Sequence, residues 1–404
     1  MKLIRFGAGA CVAVFILVSA LVGLAAAAPS GAPIRVGSTL SLTGPLSSNG
    51  IVHRVVGEIF VEQLNRKNGL LGRPVEWVLL DDQSKVDQTR TLYERLITVD
   101  KVDLLMPPYG TAGTLAAIAV AERYGKVLIG HTFGQPRLAR YPLYFPGNGP
   151  GYEPEKTWPT RLFDALATTA KPPRAIVIVT SKFPSVHFIS VGARDVAASR
   201  GLQVVLYLEY DFGTRDFGPI AARVKAAQPD FLWVGGIGLD SNLVLDALQK
   251  IGYLPPGHFH LFPAPGPLAT HPAGAGALSV TEFEEHPPFT ADPVAAEFVK
   301  LYHEGAAKAG LPYVKVDNQA AVSYAAWQIL EASVTGPRAL EEQGRAQWLK
   351  VNRVKTIAGE RRFDGPSNYG EDVYKIRQVQ RGDWKVVWPR EVAAPGAQLI
   401  YPAQ

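Results

Sequence analysis

The stretch IRVGSTLSLTGPLSSNG, residues 34–50, decides the fold. Its first seven residues are mostly apolar and read as a buried strand over 34–40. A small-residue turn follows. Val52, Val55, Val56, Ile59, Phe60 and Leu64 then recur at helical spacing, and Gly69 stops that helix. Outward from this unit the rhythm repeats. Strands are expected over 75–80, 103–107 and 127–131. Helices are marked by Leu92, Leu96 and Val99 and again over 116–124, where Gly125 closes the turn. Such alternation implies a parallel sheet with right-handed crossovers and helices on both faces.

Near residue 150 the rhythm breaks. Pro142, Pro146, Gly147, Gly149, Pro150, Gly151, Pro154 and Pro159 crowd together, as in a crossing between domains. Strands then alternate with helices again: strands over 175–179, 203–208, 231–234 and 258–262, helices over 191–199, 217–227 and 243–251. A second Pro/Gly-rich stretch covers 263–276. Helices over 293–309, 318–334 and 340–350 lack strand partners and are expected to return to the first lobe. Segments 374–380 and 384–388 flank Arg381-Gly382-Asp383 and read as a hairpin. The expected fold class is α/β: two Rossmann-like lobes with mostly parallel sheets, joined by a multi-strand hinge. The lobes would be 34–150 plus 279–358, and 151–278 plus 359–404.

The amino end carries an address. Lys2 and Arg5 precede an uncharged, largely apolar run over 7–24, and Ala25-Ala26-Ala27-Ala28 supplies small residues for cleavage. This order reads as a signal peptide over 1–27, cut near Ala27, although the run approaches the length of a membrane anchor. The sole cysteine, Cys11, lies inside it, so the exported chain has neither disulfides nor thiol chemistry. The expected location is periplasmic, in soluble form. The formal charge of +5 falls to +3 without Lys2 and Arg5, and the basic residues are scattered, so nucleic acid is not an expected partner.

In open parallel sheets, ligands sit beyond the carboxyl ends of the strands, where helix N-termini offer unpaired N–H groups. Three loops suit that role: 42–50, 107–114 and 131–135. Each taken singly fits ordinary turn-and-cap chemistry; three on one sheet end favour a cleft. Signatures of catalysis are missing. There is no G-x-S-x-G elbow and no phosphate-binding loop, and Gly235-Gly236-Ile237-Gly238 is too incomplete for a dinucleotide fingerprint. His258 and His260 share a strand face but have no acidic cluster to make a metal site. Asp81-Asp82 reads as a strand-end cap. No enzyme activity, cofactor or metal is expected.

The ordered segments resemble the periplasmic solute-binding proteins of the leucine/isoleucine/valine-binding type, with the type I periplasmic binding fold. The similarity is carried by 34–50, by LNRKNGLLGRPVEWVLLDDQSKVDQT, by GTAGTLAAIAVAERYGKVLI, by FGTRDFGPIAARVKAAQPDFLWVGG, and by GERRFDGPSNYG and GDWKVVWP near the end. It implies the solute-binding component of an ABC importer, a monomer serving permease and ATPase subunits. It also implies ligand contacts at Thr111, with Tyr109, Gly110, Ala112 and Gly113 beside it, and at Thr132 and Phe133. Asn49, Ser185, Val186 and Ile237 fall where members often carry aromatic residues, and Gly134 replaces a threonine. The acid that pairs with a ligand ammonium should fall near Ala264 or Pro265, yet 262–270 holds no Asp or Glu. A buried ammonium without such a partner costs several kcal/mol. The expected cargo is therefore a small carboxylate, with an aromatic body as one form, rather than a standard α-amino acid. The alternatives are a branched-chain amino acid or amide for the same importer class, and a sensor reporting to a signalling receptor.

Overall fold

The computed structural model describes residues 28–402. The expected signal segment, 1–27, lies outside the described residues. The first unit runs β1 (Ile34–Leu40), α1 (Ser47–Arg66), β2 (Val75–Asp81), α2 (Val86–Thr98), β3 (Leu104–Leu105), α3 (Thr111–Arg123), β4 (Leu128–Gly130) and β5 (Tyr144–Pro146). These strands form a parallel sheet in the order β2-β1-β3-β4-β5.

The chain continues through α4 (Pro154–Ala167), β6 (Ala175–Ser181), α5 (Pro184–Ser199), β7 (Gln203–Tyr210), α6 (Gly218–Ala227), β8 (Phe231–Gly238), α7 (Asp240–Lys250), β9 (His258–Pro263), α8 (Pro265–Ala269) and β10 (Leu278–Thr281). Helices α9 (Pro293–Lys308), α10 (Asn318–Thr335) and α11 (Glu342–Val351) follow, then the short pair β11 (Val354–Thr356) and β12 (Gly359–Arg361), and the hairpin β13 (Lys375–Gln380) and β14 (Asp383–Trp388). The second sheet has the order β14-β13-β10-β9-β8-β6-β7, with the hairpin antiparallel at one edge. Read from β7, its parallel part repeats the winding of the first sheet. Each sheet thus reverses direction once, at β1/β3 and at β6/β8, and doubly wound sheets bind ligands at that point.

Burial explains the layering. Along β6, Ile176 and Ile178 enter one hydrophobic cluster while Val177 and Val179 enter another. A period of two therefore divides an all-apolar strand between two helical layers. Helices α9 and α10 do return to the first sheet: the Phe60 ring of α1 lies 5.0 Å from Tyr324 and 5.8 Å from Trp327. A β-carbon at Gly305 would approach Val55 to 3.0 Å, so α9 lies close against α1.

The structure departs from expectation in three places. First, α4 forms inside the stretch read as a linker. Pro154 sits in the first turn, where a missing N–H costs nothing. Pro159 frees the Glu155 carbonyl, and Gly192 of α5 closes on it so tightly that a β-carbon would lie 2.0 Å away. Second, Ser279–Thr281 pair with β13 in the second sheet, although sequence assigned them to the first lobe. Third, Phe363 and Tyr369 pack in the first cluster, and Phe363 meets Phe145 edge-on at 5.4 Å. The chain passes between the two bodies after β5, after β10 and before β13. Glu282 ties these passages together: it accepts from the Gly149 N–H at 2.8 Å and pairs with Arg361, whose Nε donates to the Gly147 carbonyl at 3.0 Å.

Candidate functional site

The loop after β1 is shaped by the adjacent acids. Buried Asp82 accepts from Thr39 Oγ1 at 2.9 Å and Ser41 Oγ at 2.8 Å, and Asp81 accepts from the Leu42 N–H at 3.0 Å and Thr43 Oγ1 at 2.8 Å. The pair holds backbone and is not aimed at a ligand.

The loops after β3 and β4 bind each other. Gly110 takes φ of +80°, a conformation open to glycine, and turns the chain into α3. Its N–H donates to Thr132 Oγ1 at 3.0 Å, while the Gly134 N–H donates to Thr111 Oγ1 at 3.1 Å. Each threonine oxygen is an acceptor in these bonds, which leaves its own proton for another partner. Thr132 Oγ1 lies 3.2 Å from His131 Nδ1. The ring is neutral because burial holds its pKa far below the usual value, and the stacked His53 ring, 4.0 Å away, acts in the same direction.

These loops form one wall of an interlobe cavity whose space for water amounts to about 40 Å³. Tyr109, Gly110, Thr111, Thr132 and Phe133 all line it, as do His131 and Gly134. The opposite wall comes from the second sheet: Phe183 and Ser185 at the start of α5, Ile237 of β8, Phe262 of β9 and Trp158 of α4. A strand bulge between Val234 and Ile237 sets the last part of β8, and its Gly235 backbone presses against Ser190 and Thr180. The walls approach closely. A β-carbon at Gly134 would stand 2.7 Å from Ser185 Cβ. The hinge side is closed by Asn148, Asn318, Gln319 and Tyr374.

Four of the expected contacts sit elsewhere. Asn49 borders an outer recess between the α1 loop and Phe212–Arg215, which Ile237 also borders. A β-carbon at Gly113 would meet the Pro108 ring at 3.4 Å, and neither Gly113 nor Ala112, beside it in the first turn of α3, lines the cavity. Val186 is buried in the core of the second body. Successive residues at a helix start turn by about 100°, so Ala112, Gly113 and Val186 turn away from the cavity that Thr111 and Ser185 line. His187 pairs with Glu209 at 2.7 Å, outside the cavity lining. His258 Nδ1 and His260 Nε2 bond each other at 2.7 Å, and no metal-holding group occurs among the described residues. Asn148, Trp158, Asn318, Gln319 and Tyr374 escaped the sequence reading. They come from a linker-like run, a proline-rich helix start, the first turn of a long helix and the approach to a hinge strand, and no local pattern joins them.

The cavity lining contains no Asp, Glu, Lys or Arg among the described residues. Nearby acids are engaged: Asp317 caps α10, accepting from the Ala320 N–H at 2.8 Å, and Asp240 accepts from Tyr210 Oη at 2.9 Å. Ala264 and Pro265 lead into α8 and bring no carboxylate. The chemistry on offer is neutral: two helix N-termini, of α3 and α5, with hydroxyls, amides and aromatic faces.

A profile of the periplasmic binding protein family matches residues 33–383. The leucine-, isoleucine-, valine-, threonine- and alanine-binding protein of Pseudomonas aeruginosa is 21% identical over 239 residues, covering 58% of this chain and 61% of that protein. Among solved structures, the leucine binding protein LivK of Thermotoga maritima superposes with a TM-score of 0.75 at 19% identity, over 87% of this chain and 97% of that one. An ABC transporter solute binding protein of R. palustris, in complex with benzoate, gives a TM-score of 0.72 at 18% identity, over 92% and 97%. The overlays extend the profile match to the whole α/β architecture, and this chain belongs to the periplasmic binding protein family.

Proposed function

We propose that the chain is the extracytoplasmic solute-binding component of an ABC importer, and that its cargo is a small carboxylate with an aromatic body and no ammonium group. One observation carries this reading: a cavity with no charged side chain, onto which the first turns of α3 and α5 open from opposite walls. Unpaired N–H groups and positive partial charge at those turns suit a carboxylate. The Thr111 hydroxyl proton adds a donor. An α-amino acid would bring an ammonium into the same space with no carboxylate to meet it, at a cost of several kcal/mol. Tyr109, Phe133, Phe183 and Phe262 supply flat apolar surface for a ring.

The mechanism is closure. Ligand docks on the Thr111–Thr132 wall, the Phe183–Ser185 wall swings onto it about the hinge, and the closed form is stabilised by contacts to both. Permease and ATPase subunits then receive the closed form. The lobes are 34–150 plus 279–358 and 151–278 plus 359–404, apart from the segments whose packing is described above. The solute leaves unchanged in this reading, which rests on membership of a family of binding proteins. The benzoate complex of the R. palustris protein agrees with this cargo; the amino-acid-binding name of the P. aeruginosa relative points to the other class. Calorimetric titration with benzoate, isovalerate, benzamide and leucine separates them. Benzoate should bind in the micromolar range or tighter. Binding of leucine with none of the acids would overturn the proposal.

A further inference from the structure

We infer that the cargo carries a hydroxyl group on its ring, held at the hinge end of the cavity by Asn148 and Trp158; this rests on the carboxylate reading above. Both residues line the cavity, both are nearly inaccessible at 5% and 1% exposure, and each presents a polar atom with no partner. The direction of each is defined. Asn148 Nδ2 donates to the Phe133 carbonyl at 3.4 Å, which fixes the amide so that Oδ1, the unpartnered atom, is an acceptor. Trp158 Nε1 is a donor only. The indole cannot turn away to find a partner, because Tyr374 packs on it at 4.4 Å and Phe262 meets it edge-on at 5.8 Å.

Buried polar atoms in folded proteins are almost always paired, so two orphans in one small cavity indicate what fills it. One wants a proton and the other offers one. A phenolic hydroxyl does both: its proton goes to Asn148 Oδ1, and its oxygen accepts from Trp158 Nε1. The carboxylate is taken at the other end by α3, α5 and Thr111. The cavity thus has an anion end and a hydroxyl end, with aromatic walls between. A site built to bond a hydroxyl rejects the analogue without it far more strongly than an apolar pocket rejects an added one.

The test is titration of the purified protein with benzoate, its three monohydroxy isomers and 3,4-dihydroxybenzoate. At least one hydroxy acid should bind about tenfold or more tightly than benzoate. In Asn148→Leu and in Trp158→Phe, which keeps an aromatic ring, the ratio of hydroxybenzoate to benzoate affinity should fall toward one. Far-ultraviolet circular dichroism confirms that each variant folds. If every hydroxy acid binds no better than benzoate, the hydroxyl inference is wrong and the carboxylate reading stands. If benzamide outcompetes all the acids, or only amino acids bind, the carboxylate reading fails and takes this inference with it.

Discussion

Single residues decide how near the two walls come. Gly134 stands where a threonine belongs by resemblance, and the reason lies across the cleft: Ser185 occupies the space that a side chain would need. Gly134→Ala should leave an open, unliganded form nearly untouched, since the clash exists only when the walls meet. Overpacking of this kind costs about 1–3 kcal/mol. The dissociation constant should therefore rise roughly tenfold or more, and Ser185→Gly in the same background should recover much of the loss. Equal titration curves for Gly134→Ala and the unaltered protein would show that the walls do not close this tightly. The uncharged lining is likewise a property of individual positions, and the missing acid at Ala264 was legible in the sequence alone. The acids that do lie nearby, Asp240 and Asp317, were not excluded by sequence. Their hydrogen bonds exclude them, because both are committed to a tyrosine and a helix cap.

At the scale of elements, β9 shows what a two-residue period can bury. His258 and His260 share one face of the strand and bond each other away from water. Burial holds His258 down to about 4, against 6.5 in the open, and pushes His260 in the same direction. Below pH 6.5 the unfolded chain takes protons that the folded one refuses, so stability falls as the pH falls. For His258 the loss runs at about 1.4 kcal/mol per pH unit and ends near pH 4, where the folded form protonates as well. Thermal melts between pH 7 and 4 should show this slope, and a His258→Leu/His260→Leu variant should flatten it. An unchanged slope in the variant would move the effect to His53 and His131, which are stacked and buried beside the cavity. The hairpin was the element read most closely from sequence. Arg381 and Gly382 take φ of +56° and +76°, the two-residue turn that such a hairpin needs, with Asp383 already in the strand. Helix α4 was missed, as was the short α8 inside the second stretch rich in proline and glycine. Two prolines argue against a helix locally at α4, and only packing against Gly192 explains why it forms.

For the whole molecule, the hinge is the feature that matters most. Three passages of chain meet at Glu282 and Arg361, and a second buried pair, Glu284 with Arg377 at 2.7 Å, lies beside them. Removing one partner of a buried pair leaves a charge without compensation and costs about 3–5 kcal/mol. Glu282→Gln should therefore lower the urea midpoint markedly. Replacing both partners, as Glu282→Leu with Arg361→Met, should recover part of the loss. If the single and double variants are equally stable, the pair does not bind the passages together. Closure is also measurable directly. Small-angle scattering should show the radius of gyration falling on addition of an aromatic carboxylate, toward the roughly 21 Å expected of a compact chain of this length. A radius unchanged by saturating ligand would remove closure from the mechanism.

The sequence by itself determined the alternation of strands and helices, the two-lobed plan, the closing hairpin, the loops after β3 and β4, and the absence of an acid at the site. These are local facts: periodicity, turn residues and composition act within a few tens of residues. Only the tertiary structure decided which side chains share the cavity. Asn148 and Trp158 are far along the chain from Gln319 and Tyr374, and they meet because three hinge passages bring their elements to one point. Neither did the sequence reveal that Thr111 and Thr132 each accept a backbone N–H across the loops. That bond requires two strand ends to lie side by side, and their position is set by the packing of the whole sheet.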